Sequence, residues 1–268
     1  MPTINGLHYH TERQGEGELL VLLHGFTGST ANWQPHTDVF ARHYRVLTID
    51  LPGHGKTNAP TDPARYAMET VAQDIAAIIG EHGGSANLLG YSMGGRLALY
   101  MAVHHADVLH AVVLESTSPG LRTPAERTDR QRRDDALADR IERDGIPAFV
   151  ASWEALPLWG SQQHLSDDVQ QKLRQQRLQN NSVGLANSLR GMGTGVQPSL
   201  WGELNTLTLP TLLITGELDT KFMAIADEMQ QHIPYAQHTV IQSAGHTTHL
   251  EQPEQFQQTV LTFIQPPL

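Results

Sequence analysis

At 268 residues the chain is long enough for one large α/β domain, or for one domain carrying an insertion, around a single substantial core. Its formal charge of -10 argues against a nucleic-acid or anionic-membrane surface, because those partners need a broad excess of Lys and Arg. The absence of cysteine excludes disulfides, thiolate zinc sites and iron–sulfur clusters, and the apolar runs "LLVLLHG" and "TLLITG" fall far short of the roughly 18 residues that span a bilayer.

In chain order, short apolar runs of strand length alternate with amphipathic stretches of helix length, the pattern of a mostly parallel sheet covered on both faces. An amino-terminal strand pattern around His8 and His10 leaves those histidines at the surface. The strand "ELLVLLHG" leads to a helix from Thr30 to Ala41, and "YRVLTIDL" to a helix from Met68 to Glu81. "SANLLGY" then leads to a helix from Met93 to His104, and "LHAVVLES" follows as the next strand. Between Gly120 and Leu207 the strand signal disappears and Gln, Arg, Asp and Asn dominate, so this stretch reads as all-helical. "TPAE" starts it: Thr123 caps, Pro124 suits the first helical position and Glu126 completes a capping box. "PTLLITGE", a helix from Phe222 to Gln231, "QHTVIQSAG" and a helix from Pro253 to Ile264 resume the alternation. The expected architecture is therefore an α/β core, residues 1–120 and 208–268, interrupted by a helical cap over 121–207. No basic segment followed by an apolar one opens the chain, so the expected compartment is the cytoplasm. A monomer is favoured.

Gly90-Tyr91-Ser92-Met93-Gly94 follows a strand and opens a helix, the context of a nucleophile elbow. A serine hydroxyl becomes reactive only when an imidazole takes its proton and a carboxylate orients that imidazole. Asp219, after "LLITGE", and His246, in "SAGHTTHLE", stand in the order Ser, Asp, His that such a scaffold uses. Glu217 and Glu115 compete for the acid role and rank behind Asp219. The backbone amides of Phe26, in "LLHGFTGS", and of Met93 are the candidate oxyanion donors, with His24 stabilising the loop. "GHGKT" resembles a phosphate-binding loop, but Asp50 stands where a glycine belongs, so it reads as a loop over the pocket mouth. His246 and His249 have a spacing that could share a metal, yet no third ligand is evident; no metal and no cofactor are expected.

Three arginines sit where an acidic chain has no generic reason to put them. Arg96 lies one turn past Ser92; Arg130 continues the stripe Asp134, Leu137, Ile141; Arg177 extends Val169 and Leu173. Guanidinium matches carboxylate in a planar two-point contact, so several around one pocket select a small polyanion. Arg127, Arg132, Arg133, Arg140 and Arg143 read as solvated.

The segments "LLHGFTGSTANW", "IDLPGHGKT", "GYSMGGRLAL", "GELDTKF" and "AGHTTHLEQP" resemble the α/β-hydrolase superfamily over essentially the whole chain. "ESTSPGLRTPAERTDRQRRDD", "FVASWEALPLW", "RLQNNSVGLANSLRGMGTGVQPSLW" and "DTKF" are further similar to the 2-succinyl-6-hydroxy-2,4-cyclohexadiene-1-carboxylate synthase family, pyruvate-eliminating lyases of menaquinone biosynthesis. That resemblance implies a substrate with three carboxylates, anchored by Arg96, Arg130 and Arg177 between apolar walls from Tyr91, Trp153 and Trp159. It also implies that Ser92 acts mainly as a base relaying through His246. Two alternatives stay open at this point: a serine hydrolase of esters or carbon–carbon bonds using the same triad covalently, and a catalytically quiet small-molecule binding protein on the same scaffold.

Overall fold

The protein is described here by a computed structural model covering residues 2–265. It begins with a small antiparallel hairpin, β1 (Thr3–Ile4) and β2 (Leu7–His8), followed by β3 (Thr11–Gln14) and β4 (Leu19–Leu23). The alternation then runs α1 (Gln34–Phe40), β5 (Arg45–Ile49), α2 (Met68–Glu81), β6 (Ala86–Tyr91), α3 (Met93–His104) and β7 (Leu109–Glu115). No strand follows until β8: the intervening chain forms α4 (Pro124–Glu154), α5 (Asp167–Leu178) and α6 (Ser182–Met192). The chain then closes with β8 (Thr211–Gly216), α7 (Thr220–His232), β9 (Ala236–Ile241), α8 (Thr248–Glu251) and α9 (Pro253–Ile264).

Seven strands form one sheet in the order β3-β5-β4-β6-β7-β8-β9, parallel throughout except for β3, which runs antiparallel to β5 at one edge. The strand order reverses between β4 and β6, whose following segments leave toward opposite faces of the sheet, and a crevice outside the carboxyl ends at such a point is the usual place for a ligand in an open α/β sheet. Alternate residues feed opposite faces. Leu19, Val21 and Leu23 join Leu88 under α2 and α3, whereas Leu20 and Leu22 join Leu89 and Val113 under α1 and α9.

Over the crevice sits the helical segment between β7 and β8, with its own apolar centre of Ala138, Ile141, Phe149, Val150, Leu185 and Leu189. The capping box at its start is formed: Glu126 N donates to Thr123 Oγ1 at 3.2 Å, and Thr123 N donates back to Glu126 Oε2 at 2.8 Å. The helix α4 is interrupted at Gly145, whose φ of 80° and ψ of 170° only a residue without Cβ adopts easily. Pro147 follows two residues on, near the start of the second segment, where its missing N–H costs no helical bond. This break was not expected from the sequence; it redirects Phe149 and Trp153 toward the crevice, where both rings meet Phe26.

Candidate active site

β6 ends at Tyr91 and α3 begins at Met93, so Ser92 alone makes the turn, with φ 50° and ψ -103°. The strained residue is held at both ends: its N–H donates to the Glu115 carbonyl at 2.9 Å, and its carbonyl accepts Arg96 N at 2.9 Å. Gly94 makes the turn possible, because a Cβ there would overlap the carbonyl of Leu23 at the end of β4. Thr27 and Ser116, at the carboxyl ends of β4 and β7, also have positive φ. Backbone strain thus gathers on one edge of the sheet.

His246 reaches that edge from the loop after β9. Its Nε2 lies 3.1 Å from Ser92 Oγ and its Nδ1 lies 2.6 Å from Asp219 Oδ2, both on a nearly inaccessible ring. A carboxylate accepts only, so Nδ1 carries the proton and Nε2 is free to take one from the serine. Asp219 is fixed in turn by capping α7, where Oδ1 accepts the Phe222 amide at 3.3 Å. The rings of Phe222, Tyr91 and Trp159 surround the imidazole at centroid distances of 4.6, 5.6 and 5.7 Å. Of the competing acids, Glu217 accepts the Ser243 amide and Glu115 faces His249; neither bonds His246. His246 and His249 therefore face different carboxylates.

Phe26 and Met93 border the same space as Ser92. His24 sits beneath the Phe26 loop with Nε2 accepting Leu51 N at 3.0 Å, which requires the proton on Nδ1, donated to the Gly25 carbonyl at 2.8 Å. Burial holds His24 neutral, with its pKa lowered to about 4. The "GHGKT" segment does not lie over the cavity mouth. Asp50 accepts the amides of Thr30 and Lys56, folding the segment back beneath the Phe26 loop, where His54 meets Phe26 edge-on.

Ser92 and His246 open into a cavity of about 420 Å³ between the sheet edge and the cap, whose walls include Tyr91, Trp153 and Trp159. Arg96 and Arg130 both line it. Arg96 has no carboxylate within ion-pairing distance among the described residues. Its Nη1 instead donates to the Met192 carbonyl at 2.8 Å and to Gln197 Oε1 at 3.0 Å, while Gln197 Nε2 is anchored on the Ser118 carbonyl. Burial, with the nearby charge of Arg130, lowers the Arg96 pKa to about 10, so the guanidinium is cationic at neutral pH. Arg130 Nε pairs with Asp134 Oδ1 at 2.8 Å, and its side chain is 40% exposed.

Arg177 departs from the expectation. It lies outside this cavity, behind Trp159, with its guanidinium carbon 5.4 Å from the indole centroid. Its Nη1 pairs with Glu154 at 3.2 Å and its Nη2 donates to Gln162 at 3.2 Å. The helical stripe identified the inward face correctly, but Glu154 meets it there from another helix, 23 residues away in sequence. Conversely, Arg122, Lys221 and Trp201 line the outer part of the cavity and were not expected. Arg122 pairs with Glu228 and lies 3.7 Å above the Trp201 centroid. Neither cation belongs to an apolar stripe, so periodicity had no means of finding them; position beside the cap start and beside Asp219 was the available signal. Arg132, Arg133, Arg140 and Arg143 are exposed, and Arg127 is half-buried on the carbonyls of Leu121 and Arg122.

Residues 18–253 match the α/β hydrolase fold family. A 2-succinyl-6-hydroxy-2,4-cyclohexadiene-1-carboxylate synthase from Escherichia coli O7:K1 is 36% identical over 239 residues, covering 87% of this chain and 88% of its own. A Bacillus subtilis protein that bears the same enzyme name provisionally is 45% identical over 274 residues, covering 98% and 99%. Among solved structures, that of MenH from S. aureus superposes with a TM-score of 0.92 at 38% identity, covering 96% of this chain and 97% of the other. The strained serine turn, the imidazole bridging it to a capping aspartate and the cap over them thus accompany a whole-length likeness, and the chain belongs to the 2-succinyl-6-hydroxy-2,4-cyclohexadiene-1-carboxylate synthase family of α/β-hydrolase-fold enzymes.

Proposed function

We propose that the protein eliminates pyruvate from 2-succinyl-5-enolpyruvyl-6-hydroxy-3-cyclohexene-1-carboxylate to give 2-succinyl-6-hydroxy-2,4-cyclohexadiene-1-carboxylate, a lyase step of menaquinone biosynthesis in the cytoplasm. One observation carries the reading beyond the family likeness: Ser92 and His246, hydrogen-bonded to each other with Asp219 behind, open into a cavity with a partly buried guanidinium, Arg96, that forms no ion pair with a carboxylate among the described residues. A neutral ester gains nothing from that charge, whereas a tricarboxylate does.

In this scheme His246 Nε2 draws the proton from Ser92 Oγ, and the serine oxygen removes the ring proton. The electron pair passes to the substrate carbonyl as an enolate, held by the amides of Phe26 and Met93. As that pair returns to form the C2–C3 double bond, the ring's 3,4 double bond shifts to 4,5 and the carbon–oxygen bond to the enolpyruvyl group at C5 breaks. Pyruvate departs as its enolate and takes up a proton. Arg96 and Arg130 bind carboxylates, Tyr91, Trp153 and Trp159 form the walls, and Arg177 with Glu154 supports Trp159 from behind. The test is pyruvate release from this substrate by the purified protein. Release above the spontaneous rate is expected; none above it would overturn the assignment. The covalent hydrolase reading is separated by burst kinetics with an activated ester, which the elimination scheme does not predict.

A further inference from the structure

We propose that Glu115 is a positioning residue that sets the Ser92–His246 separation, by binding the nucleophile turn through its backbone and the histidine loop through its carboxylate. Glu115 ends β7 and is wholly buried. Its carbonyl accepts the Ser92 amide at 2.9 Å. Its Oε1 accepts Thr248 Oγ1 at 2.7 Å and His249 N at 3.0 Å, while Oε2 accepts His249 Nδ1 at 2.8 Å. One residue therefore joins the turn that carries the nucleophile to positions two and three past the catalytic imidazole.

A buried carboxylate is costly unless its lone pairs are occupied, and here three donors converge on it. Burial alone would raise the Glu115 pKa; the charge of His249 and the hydrogen bonds from His249 and Thr248 outweigh it and hold the carboxyl below its ordinary value. Aromatic contacts fix the His249 ring, with Trp33 at 4.7 Å and Tyr91 edge-on at 4.8 Å between centroids. A second carboxylate works on the same loop: Glu251 accepts the amides on either side of His246, Gly245 N at 2.7 Å and Thr247 N at 3.2 Å. Glu251 shapes the loop within itself. Glu115 ties it to the sheet edge where Ser92 stands.

Glu115 does not border the cavity. Its loss should therefore lower kcat and leave KM alone, a split that a residue supporting only the fold would not produce. The inference rests on the catalytic pairing of Ser92 and His246 but on no particular substrate. It is tested by the rate at which a small fluorophosphonate labels Ser92: the serine oxygen bonds phosphorus, fluoride leaves and His246 Nε2 takes the proton. Glu115→Gln keeps an oxygen for Thr248 and the His249 amide but turns an NH2 toward His249 Nδ1. Nδ1 then loses its acceptor, and the buried Nε2 has no partner among the described residues to hold the ring in its place.

For Glu115→Gln we expect labelling and kcat to fall together, by up to about 100-fold, the loss that misalignment of about 1 Å can produce, with KM within about twofold. The near-isosteric Thr248→Val removes one contact and should move both rates in the same direction by less; it carries the test alone should Glu115→Gln not fold. A lower melting temperature with labelling per folded molecule unchanged in these variants would overturn the proposal. So would a rise in KM at constant kcat, or a wild-type Ser92 that does not label. Slowed labelling in a protein that releases no pyruvate would leave this inference standing and remove the proposed function instead.

Discussion

The two sides of the cavity are built on different principles. On the sheet side each member of the proposed triad is fixed by short-range covalent or hydrogen-bonded geometry: Ser92 by its turn, His246 by Asp219, Asp219 by the amide of Phe222. On the cap side the walls are aromatic rings and an ion pair, Trp153 against Trp159 and Phe149, Arg130 against Asp134, with the Arg177–Glu154 pair behind Trp159. The first arrangement tolerates little displacement. The second can be re-specified by changing side chains without disturbing the chemistry, which is how one scaffold serves many reactions.

That contrast can be broken from either side. The largest effect belongs to the sheet: Ser92→Ala should lower kcat by about 1,000-fold or more while KM stays within a few-fold, as measured by steady-state pyruvate release. Equal changes in both constants would mean that the serine also binds substrate. On the cap, Arg130→Ala should raise KM by about 10- to 100-fold with kcat little changed, the loss of one charge-assisted contact. Arg133→Ala, three residues on and exposed, should change neither; if it matches Arg130→Ala, the effect is bulk charge rather than the pocket.

A smaller, graded contrast concerns acid. Burial lowers the pKa of His24 to about 4 and of His36 and His54 to about 3, with further repulsion from neighbouring histidines in the latter two. Unfolded, each titrates near 6.5, so the unfolded chain binds more protons below that pH. Stability present above pH 6.5 is therefore lost as the pH falls toward the folded values. The slope approaches about 1.4 kcal/mol per pH unit for each histidine. All three belong to the sheet side, two beneath the Phe26 loop and one beside α9. Urea midpoints should fall between pH 7 and pH 5.5; a constant midpoint would show that these rings accept protons without unfolding.

The same division explains what could be read from the chain alone. Met68 to Glu81, Met93 to His104 and Pro253 to Ile264 match their helices end to end because local signals set the boundaries: glycine after one strand, proline at one start, apolar spacing throughout. Ser92, Asp219 and His246 were legible because strand ends bring them to one edge. Arg177 was legible as inward-facing but not as paired, since Glu154 arrives from another helix. Arg122 and Lys221 were missed because they extend from the rim, where no periodicity constrains them. Glu115 stood out as an acid at a strand end, yet its partner lies 134 residues away. Partnership across the fold is what a single sequence conceals.

The neutral ligands of Arg96 have a practical consequence. A guanidinium surrounded by a carbonyl and an amide oxygen has part of its Coulombic stabilisation still unmade, so an anion bound beside it would lower the free energy of the folded protein. Citrate, malonate and succinate are thus not inert choices of buffer for this enzyme: each should raise its melting point and compete at the pocket, and kinetic constants gathered in them would describe a partly occupied site.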